Sequence, residues 1–128
     1  MKSEKVALCS VSDKSGLDKI CESLTNIGWK LLASGGTATY IRDCGYDVIE
    51  VSDYTGSPEV IGGRVKTLHP AIHAGILARD NTSDCNDLAA NGWYLIDMVI
   101  VNLYPFKDVV ADPQATLESA VENIDIGG

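Results

Sequence analysis

The chain has 128 residues, of which 45% are apolar and 22% are charged, and its formal net charge is −8. This size and balance are typical of one globular domain with a buried core rather than of a disordered chain. The acidic balance argues against a general affinity for nucleic acids or anionic membranes. It leaves room for one small phosphorylated ligand, because a local cluster of cations can outweigh the global sign.

Four cysteines occur without metal-binding or redox spacing, and none forms a C-x-x-C pair. Cys9 and Cys21 fall within apolar patterns, which predicts small core residues, and Cys44 and Cys85 complete the set. We find no secretory signal and no apolar run of membrane-spanning length. We therefore expect four free thiols and a cytosolic protein.

Segments typical of strands and helices alternate along the chain. Apolar runs predict strands at residues 5–11, 29–33, 48–51 and 96–103. Helices are predicted after an N-cap at Ser12-Asp13, with an apolar face of Leu17, Ile20, Leu24 and Ile27, and at residues 37–43, 83–91 and 117–122. Gly28, Gly45 and Gly92 end the first three of these helices.

Residues 52–70 break this alternation, since they are rich in glycine and proline and carry few periodic apolar positions. A long irregular segment in a compact domain is usually functional. Regular structure is expected to return at residues 75–78. The whole pattern predicts an α/β fold whose parallel sheet is covered by helices, with ligands at the carboxyl ends of the strands.

Two polar motifs follow predicted strands and could hold a phosphate. Ser34-Gly35-Gly36-Thr37 opens a helix, where glycines allow close approach to backbone amides and the helix N-terminus favours an anion. Ser10-Val11-Ser12-Asp13-Lys14 would bring hydroxyls and an ammonium to the same edge. The alternatives are a plain tight turn for the first motif and capping of the next helix for the second.

Three further motifs carry groups suited to acid–base work. Arg64, Lys66 and Thr67 lie in the irregular segment, where a solvated loop is the alternative. His69 and His73 have the spacing of a metal pair, but Pro70 and the lack of a third ligand argue against a metal site. Asn102 and Tyr104 lie at the end of the strand predicted at residues 96–103, where packing is the alternative for Tyr104. Asp125, Ile126 and Gly127 resemble a carboxylate–glycine ligand turn. Together these motifs predict an anion pocket, without specifying a reaction.

Several of these motifs resemble one enzyme family closely. ALCSVSDKSGL, LLASGGTATYIRDCGYDV, VSDYTGSPEVIGGRVKTLHPAIHAGILARD, IDMVIVNLYPF and VENIDIGG are similar, in the same order, to the N-terminal domain of the bifunctional enzymes that combine AICAR transformylase with IMP cyclohydrolase. The resemblance implies a methylglyoxal-synthase-like fold, with a parallel sheet flanked by helices on both faces. It also implies a cyclohydrolase, a hydrolase of cyclic amidines, that closes 5-formamidoimidazole-4-carboxamide ribotide (FAICAR) to inosine monophosphate (IMP) and water.

The resemblance assigns roles to the motifs. It implies a 5′-phosphate cradle formed by Ser10, Ser12, Lys14, Ser34, Gly35, Gly36 and Thr37. Arg64, Lys66 and Thr67 match the segment that lines the substrate base, and Asn102, Tyr104, Asp125, Ile126 and Gly127 match residues around the reacting groups. Lys66, Tyr104 and Asp125 would be catalytic. The resemblance implies no metal or organic cofactor, a purine nucleotide as ligand and a homodimer.

The family pattern continues past Gly128 into a helix with an Ala-Ala-Lys-Asn motif, whose lysine belongs to the active site. We therefore expect residues 1–128 to form a single cyclohydrolase domain that is incomplete at its C-terminus and lacks the transformylase domain. Two alternatives share the fold: methylglyoxal synthase, and a regulatory module such as the allosteric domain of carbamoyl phosphate synthetase. Methylglyoxal synthase would not need the GRVKTLHP and NLYPF motifs, whereas the missing lysine segment favours the regulatory module to some extent.

Overall fold

The described part of the protein is a parallel sheet with helices on both faces. The structure is a computed structural model, which describes residues 4–58, 67 and 69–102. Its elements in chain order are β1 (Val6–Ser10), α1 (Leu17–Asn26), β2 (Lys30–Ala33), α2 (Gly35–Asp43), β3 (Ile49–Glu50), α3 (Val51–Thr55), α4 (Pro70–Leu77), α5 (Thr82–Ala90) and β4 (Met98–Val101). Within these residues the strand order is β3-β2-β1-β4, and every pairing is parallel. The predicted α/β class is confirmed.

Alternate residues of β1 supply two separate cores. Ala7 and Cys9 face a cluster with residues of α1 and α2, whereas Val6 and Leu8 face a cluster with residues of α3 and α4. All four β1 residues are at most 4% exposed. A strand that is buried on both faces reads as a continuous apolar run, as the sequence of β1 does.

The two tyrosines of the second core make a specific contact between α3 and the segment before β4. Their rings stack with centroids 5.3 Å apart, and the Tyr94 backbone N–H donates to the Tyr54 hydroxyl oxygen at 2.7 Å. Burial raises the pKa of Tyr54 above its usual value. The contact joins α3 to the segment that leads into β4, the strand that pairs with β1.

Helix α1 differs from its predicted start and its predicted face. It begins at Leu17 after Gly16, whose φ of 78° is left-handed, so the predicted N-cap at Ser12-Asp13 is wrong. Its buried face is Leu17, Cys21 and Leu24, while Ile20 and Ile27 are 40% and 69% exposed. The small Cys21 lies on the same side of the helix as Leu17 and Leu24, whereas Ile20 and Ile27 are rotated away from it.

Two other predicted boundaries also change. Strand β3 ends at Glu50, and Val51–Thr55 forms α3, although residues 52–70 were expected to be irregular. Helix α4 then begins at Pro70, five residues before the predicted return of regular structure, because a proline at the first helical position fits a helix start. The predicted helix at residues 117–122 lies outside the described residues.

Burial supports free core thiols for Cys9 and Cys21, as predicted. Both are at most 1% exposed, all four cysteines are free, and Cys44 and Cys85 are exposed. Burial raises the pKa of Cys9 to about 12 and also raises the pKa of Cys21. The thiolate is the reactive form, so burial should make these two thiols inert.

We expect an aromatic disulfide reagent at neutral pH to titrate two thiols in the native protein and four in denaturant. The two fast sites should be Cys44 and Cys85, as peptide mapping would show. The variants Cys44→Ser and Cys85→Ser should each remove one fast thiol. Rapid native labelling of Cys9 or Cys21 would contradict the described core.

Gly75 marks a close approach between α4 and the chain before β4. A Cβ at this position would lie 2.7 Å from the Tyr94 carbonyl oxygen and 3.0 Å from the Ile96 side chain. The Gly75 carbonyl also accepts the Ile96 N–H at 2.9 Å. The same addition at Gly36, in α2, would meet Lys14 at an ordinary 3.8 Å.

Gly75→Ala should therefore destabilise the fold by about 1–3 kcal/mol, as overpacking of a fixed backbone does. Gly36→Ala is the matched control, since it should be neutral or stabilising by up to about 1 kcal/mol through helix propensity. Denaturant unfolding of both variants measures the difference. Equal stability of the two variants would mean that α4 and residue 94 are not in contact.

Candidate functional site

The parallel register brings three strand ends to one edge of the sheet. Cys9 pairs with Ala33 of β2, and Ser10 pairs with Val101 of β4. The residues that follow these strands therefore meet there, and we call this edge the rim. It is the edge at which open α/β sheets bind ligands.

The Ser34-Gly35-Gly36-Thr37 motif forms the predicted strand-to-helix turn at the rim. Ser34 is extended and 3% exposed, and Gly35 has a left-handed φ of 55°, which favours glycine. Ser34 is the N-cap residue of α2, but its side chain makes no capping hydrogen bond. The first amides of α2 are thus not taken by the Ser34 hydroxyl, and a helix N-terminus of this kind favours an anion.

Lys14 brings a positive charge directly to this turn. A Cβ built on Gly36 would lie 3.8 Å from both Cε and Nζ of Lys14. The ammonium donates to the Val11 carbonyl at 3.2 Å and to the Ser12 carbonyl at 3.4 Å. An ammonium has three donors, so these two carbonyls leave one for an anion at the rim.

The Thr37 hydroxyl ties the two phosphate motifs together. It accepts the Val11 N–H at 3.3 Å and donates to the Val11 carbonyl at 3.1 Å. Thr37 is 5% exposed, so this bridge lies under the rim. The main chain of Val11 thus takes part in the site, although its side chain gave no signal in the sequence.

Asn102 holds the loop after β1 from the opposite side. Its Oδ1 accepts the Ser12 N–H at 2.8 Å and the Ser12 hydroxyl at 3.0 Å, and its Nδ2 donates to the Asp13 carbonyl at 2.8 Å. In this structure the amide thus holds Ser12 through its oxygen and Asp13 through its nitrogen. A polar residue directly after the neighbouring strand was the sequence signal for this contact, because Ser10 pairs with Val101.

Asp13 forms a local turn instead of the predicted helix cap. Its Oδ1 accepts the Ser15 N–H at 3.0 Å and the Ser15 hydroxyl at 2.7 Å. These hydrogen bonds to the charged form lower the pKa of Asp13, with the Ser15 backbone N–H as the largest cause. The turn leads the chain into Gly16 and positions Lys14 beside α2.

Four predicted residues, Ser12, Lys14, Thr37 and Asn102, thus hydrogen-bond to residues 11–13 or to each other. Gly36 lies beside Lys14, and Ser10, Ser34 and Gly35 are adjacent in the chain. Thr67 is described and 8% exposed. Arg64, Lys66, Tyr104, Asp125, Ile126 and Gly127 lie outside the described residues.

His69 and His73 use their ring nitrogens within the chain. Nδ1 of His69 accepts the Ala71 N–H at 3.0 Å, and Nδ1 of His73 lies 3.2 Å from the His69 carbonyl oxygen. Within the described ranges, no group of three or more His, Cys, Asp or Glu residues could hold a metal ion. His73 lies one helical turn after His69, the N-cap residue of α4.

A groove of about 530 Å³ lies away from the rim, at the amino ends of β2 and β3. Trp29, Lys30, Tyr46 and Asp47 contribute to its lining. Lys30 already pairs with Glu4 at 3.1 Å and lies over the Tyr94 ring. The lysine that lines this groove is therefore already engaged. In the same described residues, no helix is long and apolar enough to cross a membrane.

The chain is similar in sequence to known purine biosynthesis proteins. The chain is 56% identical over 125 residues to the bifunctional purine biosynthesis protein PurH of Cyanothece sp.. It is 53% identical over 127 residues to PurH of Trichodesmium erythraeum and 55% identical over 126 residues to PurH of Synechocystis sp.. These matches cover 96–98% of this chain but span only about a quarter of the relatives' length, at their N-terminal part.

The fold also matches a solved structure, the crystal structure of ForH. The two share 36% sequence identity with a TM-score of 0.83, over 98% of this chain and 64% of that chain. A family model for the MGS-like domain matches residues 16–128. The methylglyoxal-synthase-like fold that the sequence motifs implied is thereby confirmed, and the chain belongs to the MGS-like domain family.

Proposed function

We propose that this chain carries the IMP cyclohydrolase function of purine biosynthesis, closing FAICAR to IMP and water. The observation that carries the proposal is the Lys14 ammonium beside Gly36, above the open N-terminus of α2. The high identity to purine biosynthesis proteins supports a purine nucleotide as the ligand of this anion site. The transformylase activity of the bifunctional relatives is not assigned to this chain.

The 5′-phosphate would sit at the rim between the α2 amides and Lys14. The backbone N–H groups of the first turn of α2 and the Lys14 ammonium would together favour a dianionic phosphate. Thr37 and Asn102 already hold Val11, Ser12 and Asp13 in place through the bonds described above. The cradle is therefore ordered before the ligand arrives, which reduces the entropic cost of binding.

Ring closure joins two groups of the same substrate. The carboxamide nitrogen attacks the formyl carbon, and a new carbon–nitrogen bond forms as the formyl oxygen takes up negative charge. The carboxamide nitrogen loses one of its protons and the formamide nitrogen loses its own. The former formyl carbon–oxygen bond breaks as the carbon–nitrogen bond to the formamide nitrogen becomes double, and the oxygen leaves with these two protons as water. No electrons are transferred to or from the substrate, so the proposed step needs no redox cofactor, and the proposal includes no metal.

Lys66, Asp125 and Tyr104 are the residues we propose for the chemistry. Lys66 would stabilise the formyl oxygen as its charge develops. Asp125 would orient or deprotonate the carboxamide nitrogen, and Tyr104 would relay a proton. Arg64, Thr67, Ile126 and Gly127 would line the base and the reacting groups. A homodimer in the cytosol completes the proposal.

Incubation with FAICAR tests this function directly. The chain itself and the chain extended through the Ala-Ala-Lys-Asn segment of the family should both be assayed, because the resemblance places an active-site lysine there. IMP formation by the extended chain is the expected result. Methylglyoxal formation from dihydroxyacetone phosphate, or nucleotide binding without any product in both proteins, would overturn it in favour of the two alternative family functions.

Lys14→Ala should raise the dissociation constant for IMP by about ten- to a hundredfold, since one charge-assisted hydrogen bond contributes about 1.5–3 kcal/mol. Lys19→Ala removes the same charge from the exposed side of α1 and is the matched control. Calorimetry with IMP and with inosine distinguishes a lost phosphate contact from a lost nucleoside contact, because inosine lacks the phosphate. An equal loss of affinity for both ligands in Lys14→Ala would contradict a phosphate contact.

Lys66→Ala in the extended chain should lower the cyclisation rate by about 10²–10³, the usual effect of removing one oxyanion donor. IMP affinity should change much less, because charge on the formyl oxygen grows only towards the transition state. Single-turnover kinetics with FAICAR gives the rate. A parent-like rate would remove Lys66 from the mechanism, and an equal loss of rate and affinity would make it a ground-state anchor.

A further inference from the structure

The Asn102 side chain connects the end of β4 to the loop after β1. Its Oδ1 accepts the Ser12 N–H at 2.8 Å, and its Nδ2 donates to the Asp13 carbonyl at 2.8 Å. These partners lie 90 and 89 residues away in the chain, so both bonds depend on the pairing of Ser10 with Val101. One amide thus fixes two peptide groups of a loop that follows another strand.

Both of these peptide groups determine where the Lys14 ammonium lies. The Ser12 N–H belongs to the same planar peptide group as the Val11 carbonyl, which accepts the Lys14 ammonium at 3.2 Å. The Asp13 carbonyl belongs to the peptide group that continues into the Lys14 N–H. Asn102 therefore fixes the backbone at the base of the Lys14 side chain and also the carbonyl that receives its ammonium.

The position of this ammonium matters for an anion at the first turn of α2. A Cβ built on Gly36 would lie 3.8 Å from Nζ of Lys14, so the charge stands directly beside that turn. A lysine side chain is long and flexible, and it loses much conformational entropy when it is fixed beside a ligand. Bonds that fix it in advance reduce this cost when the anion binds.

We propose that Asn102 is a positioning residue for the anion site, which sets the Lys14 ammonium beside the first turn of α2. The inference rests on the proposed function, in which the nucleotide phosphate binds between these two groups. It differs from the role that the resemblance implies for Asn102, which is a place around the reacting groups. Both ends of the Asn102 amide bond residues 12 and 13, so its effect on the ligand is exerted through Lys14.

A double-mutant cycle with Asn102→Ala and Lys14→Ala tests this role by calorimetry with IMP and with inosine. Asn102→Ala alone should raise the dissociation constant for IMP about three- to tenfold, the effect of losing one ordinary hydrogen bond. In the Lys14→Ala background the same change should alter this constant by less than about twofold, because the ammonium that Asn102 positions is gone. Affinity for inosine should be the same in Asn102→Ala and the parent chain, since inosine has no phosphate.

Asn91→Ala is the matched control for loss of an exposed side-chain amide. Asn91 follows α5, where its Nδ2 donates to the Asp87 carbonyl at 2.9 Å, and this variant should leave IMP affinity within about twofold of the parent. Hydrogen exchange tests the clamp without any substitution, because a bonded Ser12 N–H should exchange slowly in the parent chain. That protection should be lost in Asn102→Ala under conditions where the variant is folded.

Three outcomes would overturn the positioning role while leaving the proposed function intact. Additive losses in the cycle would mean that Asn102 acts on IMP independently of Lys14. An equal loss of affinity for inosine in Asn102→Ala would return Asn102 to the nucleoside and the reacting groups. A Ser12 N–H that exchanges in the parent as fast as in an unfolded chain would exclude the clamp itself. If the parent chain binds no IMP at all, the proposed function fails, and the positioning role fails with it.

Discussion

The buried strand β1 and its parallel register are the constraint on which the rest of the structure depends. Its residues pair with β2 on one side and β4 on the other, and both of its faces are covered. The register aligns the carboxyl ends of three strands. The loop after β1, the glycine turn after β2 and the Asn102 side chain after β4 therefore meet at the rim. A one-residue slip of β4 would move Asn102 away from Ser12 and reverse which side chains enter the core.

Order at the rim comes from the main chain of residues 11–13. Lys14, Thr37 and Asn102 reach this short segment from three elements and satisfy its carbonyl and amide groups. Lys14, Thr37 and Asn102 are therefore also part of the fold. This double use explains why polar residues can lie at a rim in a small domain without leaving it unsatisfied in the absence of a ligand.

Local sequence signals predict the fold class. The features that the sequence did not predict depend on tertiary contacts. The apolar runs and the glycines with positive φ at residues 28, 45 and 92 are local, and they marked strands and helix ends correctly. The sequence could not show that Asp13 would bond Ser15, or that Cys21 rather than Ile20 would face the core. At the rim, strand order predicted which motifs converge, but the clamp by Asn102 depends on a register that only the folded sheet defines.

The acidic charge of the whole chain is compatible with a local cation at the rim, because distant charges are screened and charges in contact are not. At physiological ionic strength, charges more than about 8 Å apart are largely screened. In the proposed function, a nucleotide phosphate beside Lys14 would therefore interact mainly with that ammonium and the α2 amides. A polyanion would extend across the acidic surface and meet many carboxylates. A net charge of −8 would thus disfavour nucleic acid far more than a single nucleotide.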